Sequence, residues 1–157
     1  DHFYGHQKAS EEIARRILRR LRFDNDTIAA VTKLVLWHEC PWECTPCSVR
    51  KALNKTGAEL FPMLLEIRHA DLMAQSTYKR EEKLQKLLES RRLYEEIMEK
   101  QECISLKTLA VSGKDLIDAG MKPGKELGKT LDLLLHLVLE EPEKNTKEYL
   151  LSKIKNG

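Results

Sequence analysis

Apolar residues recur every three or four positions along most of the chain, which is the spacing of one face of an α-helix. In SEEIARRILRRL the arginines fall on one face, and the opposite face carries Ile13, Ile17, Leu18 and Leu21. The next stretch, DNDTIAAVTKLVLWHE, begins with helix-capping residues and repeats the same period. These two stretches predict a helix with a basic outer face, followed by a second, more buried helix.

Three further helices are predicted in the middle of the chain. The segment CPWECTPC contains two prolines and no apolar period, which indicates a loop. After this loop, SVRKALNK predicts a short helix that Gly57 ends, and AELFPMLLEIRHADLMAQ resumes the helical period. A long charged helix is predicted next, in YKREEKLQKLLESRRLYEEIMEK. Because no alternating apolar stretch of useful length appears, the sequence predicts an all-α fold.

The predicted helices become shorter after the segment KQECISL. This change divides the chain into a first helical part at residues 1–75, a connecting helix at 76–101 and a C-terminal part at 102–157. In the last part a helix is predicted to begin at Pro123, because the first helical turn tolerates proline.

Composition narrows the class of protein. The 157 residues are 41% apolar and 33% charged, which suits one ordinary core or two small ones. The longest apolar stretch, LDLLLHLVL, is far shorter than the roughly 20 residues of a membrane-spanning helix. The four cysteines do not form the pattern of a secreted disulfide framework. We therefore expect a cytoplasmic protein with no membrane role.

Basic residues concentrate in two places, although 27 lysines and arginines against 25 acidic residues leave a net charge of only +2. Five arginines lie within residues 15–22, where they form either an RNA-binding track or a solvated face. The second place is SGKDLIDAGMKPGKELGKTL, residues 112–131, called the glycine–lysine turn below. Its lysines are Lys114, Lys122, Lys125 and Lys129, and its glycines are Gly113, Gly120, Gly124 and Gly128.

The glycine–lysine turn suggests a phosphate site. A helix that begins there exposes unpaired N–H groups at the positive end of its dipole, and glycine lets a phosphate approach them closely. In the alternative interpretation, Gly120 merely ends a helix and Gly128 is a close contact between helices.

Two sets of residues are candidate metal ligands. His6, His38 and Asp71 lie on or beside separate predicted helices, and such side chains can converge on one divalent ion. Alternatively, His38 closes an apolar helix and Asp71 pairs with a neighbour such as Arg68 or Lys79. His38 also lies within ten residues of three cysteines, a spacing that is cramped for zinc and favours reduced loop thiols: Cys40, Cys44 and Cys47. No catalytic motif stands in the chain.

The combined motifs resemble a known family. HFYGHQKASEEIARRIL, TKLVLWHE, SVRKALNKTGAELFPMLLEIRHADLMAQ and the final LAVSGKDLIDAGMKPGKEL to NTKEYLL occur in the order found in bacterial CCA-adding tRNA nucleotidyltransferases with an HD domain. These enzymes belong to the poly(A) polymerase/tRNA nucleotidyltransferase family. The chain resembles their C-terminal part over nearly its full length, most specifically within residues 113–128.

The resemblance implies an all-α fragment with a partial HD-like unit, a connecting helix and a small tail domain that holds tRNA. In the parent enzyme a separate head would use carboxylate-bound Mg²⁺ to add CTP and ATP to the tRNA 3′ end. No catalytic residue is therefore expected in this chain. The implied contacts to tRNA phosphates are Lys114, Lys122, Gly124, Lys125 and Lys129, and the residual HD-type metal positions are His6, His38 and Asp71.

Two other functions fit the sequence. One is a metal-dependent phosphohydrolase of the HD type that uses the residual metal positions. The other is a helical dimerisation module whose apolar faces, above all residues 131–139, bind a second copy. Apolar surface left uncovered on the HD-like part also leads us to expect some self-association.

Overall fold

The computed structural model describes residues 6–155, with side chains described from residue 7 to residue 154. It confirms the all-α prediction, because the described part contains α-helices, one short 3₁₀ turn and no strand. The helices are α1 His6–Arg20, α2 Asn25–Trp37, α3 Pro46–Thr56, α4 Phe61–Ala74, α5 Arg80–Glu99, α6 Gly113–Asp118, α7 Lys125–Glu140 and α8 Lys147–Lys155, and the 3₁₀ turn is Pro142–Lys144.

The chain forms two compact units. The first takes in the described residues up to Cys44 together with Lys55–Arg92, and the second takes in Thr45–Asn54 together with the described residues from Leu93 onward. Helix α3 therefore contributes most of its length to the second unit, and α5 begins in the first unit and ends in the second. The division into an HD-like part, a connecting helix and a tail domain stays a prediction.

In the first unit, α1 and α2 form a helical hairpin. Asp24 caps α2, because its carboxylate accepts a hydrogen bond from the backbone N–H of Thr27 at 2.8 Å. Helix α4 begins at Phe61 with proline in its first turn, a position where proline is tolerated. The buried apolar residues of these elements are Ile28, Leu34, Phe61, Leu64, Leu65 and Leu72.

The second unit has its own apolar core. Helix α7 supplies the largest share, and α6, α8 and the segment before α6 supply the rest. Asn145 ties this segment to the chain before α8, because its side chain accepts from the N–H of Ala110 at 2.8 Å and donates to the carbonyl of Thr108 at 3.1 Å. The buried members are Cys103, Leu109, Val111, Leu116, Leu134, Leu135, Val138, Leu139 and Leu150.

A buried arginine closes the C-terminal end of α7 within the second unit. The Arg50 side chain is 6% exposed and donates from Nε to the carbonyl of Leu139 at 2.7 Å and from Nη2 to that of Glu140 at 3.2 Å. Its Nη1 also pairs with the carboxylate of Glu102 at 2.8 Å. Arg50 thus satisfies carbonyls that the end of a helix leaves without intrahelical partners.

Candidate nucleic-acid interface

Helix α6 begins with a capping box. The Ser112 hydroxyl accepts from the N–H of Asp115 at 3.4 Å, and the Asp115 carboxylate accepts from the N–H of Ser112 at 2.8 Å. Lys147 also donates to Asp115. The bonds from Lys147 and then Ser112 hold the pKa of Asp115 well below its ordinary value. Asp115 is therefore ionised and Lys147 already has a counter-charge.

The first two glycines of the turn fix how α6 meets α7. Gly120 ends α6 with φ +102°, and its N–H donates to the carbonyl of Ile117 at 2.9 Å. The N–H of Met121 donates to the carbonyl of Leu116 at 3.0 Å. This pattern is a Schellman motif and confirms that Gly120 ends a helix. A Cβ on Gly113 would stand 3.2 Å from Leu127 Cδ2, so the start of α6 packs closely on the first turn of α7.

The start of α7 differs from the prediction. The helix begins at Lys125, two residues after Pro123, because the intervening Gly124 has φ +151° and ψ −168°. Only glycine adopts this backbone region readily, so Gly124 is a conformational requirement. As the N-cap residue it has no side chain with which to cap the helix, and the first-turn N–H groups keep no side-chain acceptor.

Lys122 and Lys125 flank this uncapped end in the chain, and Lys114 follows Gly113, which packs against Leu127 in the first turn of α7. Lys114, Lys122 and Lys125 are exposed, and within residues 7–154 none of them forms an ion pair. The fourth predicted contact, Lys129, pairs with Glu126 at 2.7 Å, although both side chains are more than two-thirds exposed. The N-terminal end of α7 therefore combines free backbone donors, the positive end of the helix dipole and three lysines without counter-charges.

Gly128 does not pack against another helix. A Cβ placed on it would meet no atom within 4 Å, so the close-contact interpretation of this glycine is wrong. Its exposed position on α7 leaves room beside the first turn of the helix.

Replacing Gly128 with alanine is expected to stabilise the second unit by roughly 0.5–1 kcal/mol, because glycine inside a helix costs about that much relative to alanine. Hydrogen exchange of the α7 amides measures the change in the free energy of unfolding. Gly120→Ala is the matched control and should destabilise, because its φ of +102° strains a residue with a Cβ. A destabilising Gly128→Ala would restore the packing interpretation.

The predicted metal positions lie in the first unit. His38 and Asp71 line one cavity of about 430 Å³. His38 is the C-cap residue of α2, as the alternative interpretation predicts, and its Nδ1 lies 2.7 Å from the carbonyl of Val35. Asp71 pairs with a neighbour, but this neighbour is Gln75, whose side-chain amide donates to the Asp71 carboxylate at 2.7 Å.

These positions do not assemble into a metal site among the side chains that the structure describes. The side chain of His6 lies outside the described residues. Within residues 7–154, no three His, Cys, Asp or Glu side chains are placed to hold an ion. The cysteine thiols are free, with Cys40 Sγ 3.7 Å from the carbonyl of Leu36 and Cys44 Sγ 3.3 Å from that of Lys86. The HD-type metal site stays a prediction.

The sequence did not indicate the basic character of this cavity. Arg68 lies over the ring of Trp42 with 3.7 Å between the guanidinium carbon and the ring centroid. Lys83 and Lys86, which are three residues apart on α5, also line the cavity. In the sequence, the only signal was the three-residue spacing of Lys83 and Lys86, which places both on one face of a helix. This signal was easy to miss, because the whole helix is rich in acidic and basic residues spaced for ion pairs.

Comparison with known protein families identifies the family of the chain. The family model described as tRNA nucleotidyltransferase domain 2 matches residues 3–154. The chain belongs to the tRNA nucleotidyltransferase family. No curated protein and no solved structure matches it. In residues 6–155 no helix is long and apolar enough to cross a membrane.

Membership of the tRNA nucleotidyltransferase family makes tRNA the substrate and gives the chain a role in tRNA processing. The family match covers both compact units, including the whole glycine–lysine turn.

Proposed function

We propose that this tRNA nucleotidyltransferase domain holds tRNA by its backbone during CCA addition, through the uncapped start of α7. Lys114, Lys122 and Lys125 would contact phosphates of the acceptor and TΨC arms, and the first-turn N–H groups of α7 would donate to one of them. The observation that carries the proposal is the Gly124 cap, which leaves these donors free beside three unpaired lysines.

Each component of this site attracts a phosphate. The dipole of a 16-residue helix places partial positive charge at Lys125. Lysines without counter-charges lose no internal ion pair when they bind RNA, whereas Lys129 would have to leave Glu126. Phosphate contacts fix the orientation of an RNA and do not read its bases. The proposed role is thus to position tRNA, while the choice between C and A is made elsewhere.

The nucleotidyl transfer belongs, in this proposal, to a separate head of a parent enzyme. Mg²⁺ held there by carboxylates would neutralise the developing charge as CTP or ATP reacts with the tRNA 3′ end. The proposal assigns this chain no catalytic residue. It also places the enzyme in the cytoplasm with its tRNA substrate, and leaves the HD-type metal and a homodimer as separate predictions.

A tRNA titration at two salt concentrations tests the proposed contact. Each lysine–phosphate contact releases about 0.7–0.9 counterion, so three contacts should weaken the observed affinity roughly 20- to 40-fold between 50 and 200 mM salt. Fluorescence anisotropy of labelled tRNA measures the two dissociation constants. Binding that does not change with salt would contradict backbone recognition by these lysines.

A further inference from the structure

The turn between α4 and α5, in the first unit, presents an exposed aromatic ring. Tyr78 is 72% exposed, the largest fraction among the exposed large apolar side chains of residues 7–154. A ring left in water lacks the stabilisation that burial of an aromatic side chain provides. Single exposed apolar residues are nevertheless common on protein surfaces. The surroundings of Tyr78 therefore decide whether the ring has a function.

Two hydrogen bonds from Arg80 fix the backbone of this turn. The N–H of Arg80 donates to the carbonyl of Thr77 at 3.1 Å and closes the turn. The Arg80 guanidinium reaches back to the end of α4, where Nη2 donates to the carbonyl of Gln75 at 2.6 Å. Because the backbone that carries Tyr78 is already ordered, a ligand that contacts the ring loses less free energy to conformational ordering.

Lys79 is the second unusual residue of the turn. Its φ of +52° lies in the left-handed region, and a turn with this conformation at its third position favours glycine. The lysine found there places Nζ 5.6 Å from the centroid of the Tyr78 ring, within the range of a cation–π contact. Glycine would suit the backbone better but would remove this charge. The turn thus keeps a cation beside its exposed ring.

Cations outnumber carboxylates around the ring. Lys86 bonds Glu82 at 2.7 Å, and this bond, with the charges of Lys86, Lys79 and Lys83, lowers the pKa of Glu82. Lys79 and Lys83 therefore lie near a carboxylate that Lys86 already neutralises. Four cations less two carboxylates give residues 78–86 a net charge of +2, which attracts a negatively charged strand. The cations are Lys79, Arg80, Lys83 and Lys86, and the carboxylates are Glu81 and Glu82.

We propose that this turn is a stacking site for an unpaired base of RNA, with Tyr78 against the base and Lys79 at an adjoining phosphate. Proteins bind single strands by combining aromatic rings that stack on bases with cations that follow the backbone. Bases inside a duplex already stack on each other, whereas unpaired nucleotides are open to a protein ring. The inference rests on tRNA being the substrate, which the family shows, and not on the α7 contact.

A short single strand tests the stacking site. The probe is a fluorescein-labelled hexamer of adenylate, titrated with the full chain at one salt concentration and followed by anisotropy. Tyr78→Ala should raise the dissociation constant roughly 5- to 140-fold, the range expected for the loss of one base–aromatic stack. Tyr78→Phe keeps a ring and should bind nearly as well as the unchanged chain. The control Leu88→Ala, which shortens a side chain that is 61% exposed on α5, should leave the constant unchanged.

Lys79→Gly separates the charge from the conformation of the turn. Because glycine adopts a φ of +52° readily, this variant should keep the turn and its far-ultraviolet circular dichroism. Loss of the cation should still weaken hexamer binding about two- to fivefold. If Lys79→Gly binds as tightly as the unchanged chain, the proposed contact of Lys79 with the strand is wrong.

The ring signals of Tyr78 in a nuclear magnetic resonance spectrum report stacking directly. The hexamer should move them upfield, because a stacked base adds its ring current, and a blunt RNA duplex should leave them in place. The stacking site is overturned if the hexamer does not bind, if Tyr78→Ala binds it equally well, or if the duplex moves the ring signals equally. The lysines at the start of α7 are unchanged in these variants, so such a failure leaves the α7 contact standing.

Discussion

Replacing Arg50 with methionine is expected to destabilise the second unit by about 3–5 kcal/mol, the cost of removing one partner from a buried charge pair. Methionine keeps the apolar stem and removes every donor, so the carbonyls of Leu139 and Glu140 and the carboxylate of Glu102 lose their common partner. Both tryptophans lie in the first unit, so the change is measured by a probe in the second unit itself. Hydrogen exchange of the α7 amides measures the free energy of unfolding of the second unit.

Lys51 is the matched control for Arg50. It is the next residue on α3 and also bonds the end of α7, through the Glu140 carboxylate at 2.8 Å. Its side chain is 40% exposed and that of Glu140 is 58% exposed, so Lys51→Met should cost no more than about 1 kcal/mol. Equal losses for the two variants would show that burial does not decide the strength of the contact.

Replacing Lys114, Lys122 and Lys125 together with alanine is expected to weaken tRNA binding roughly 10- to 100-fold at 50 mM salt, because three phosphate contacts are lost. The slope of the logarithm of affinity against the logarithm of salt concentration should become less negative by about 2 to 3. The change in slope distinguishes lost phosphate contacts from a general loss of folding. Anisotropy of labelled tRNA, measured for both proteins over a range of salt concentrations, gives both quantities.

A second triple variant controls for net charge. Lys100, Lys107 and Lys153 are exposed residues of the second unit that lie outside the glycine–lysine turn. Changing them to alanine removes the same three charges and should weaken tRNA binding less than the first triple variant does. If the two variants lose equal affinity and equal salt dependence, tRNA is attracted by overall charge and the turn is not the contact.

Local sequence signals predicted the features of the turn that depend on neighbouring residues. Gly120 ends α6 because a residue in the left-handed conformation after the last helical turn lets the following N–H groups donate to carbonyls of that turn. The start of α7 was predicted two residues too early, because Pro123 is also compatible with a first helical turn. Only the observed backbone of Gly124 decides between a start at Pro123 and a start at Lys125. The role of Gly128 could not be predicted, because it depends on what lies beside α7 in space.

The basic cavity depends on contacts between distant residues. Trp42 bonds Ser90, 48 residues away, at 3.0 Å, and Arg68 reaches the carbonyl of Cys40 from a separate helix. No periodic pattern reports such convergence, whereas a helical period reports only which residues share a face. The apolar face of α1 shows the same limit, because the helical period groups Ile13 and Ile17 on one face and does not show that they are 49% and 40% exposed.

The tRNA contact at the start of α7 is tested most directly by the backbone amide signals of Lys125, Glu126 and Leu127. In a ¹⁵N-labelled chain these three N–H groups are the first-turn donors that Gly124 leaves without a side-chain cap. Adding tRNA at 50 mM salt is expected to shift all three signals, and raising the salt should reverse the shifts. If tRNA binds and these three signals stay unchanged while others move, such as those of the arginines of α1, the contact lies elsewhere.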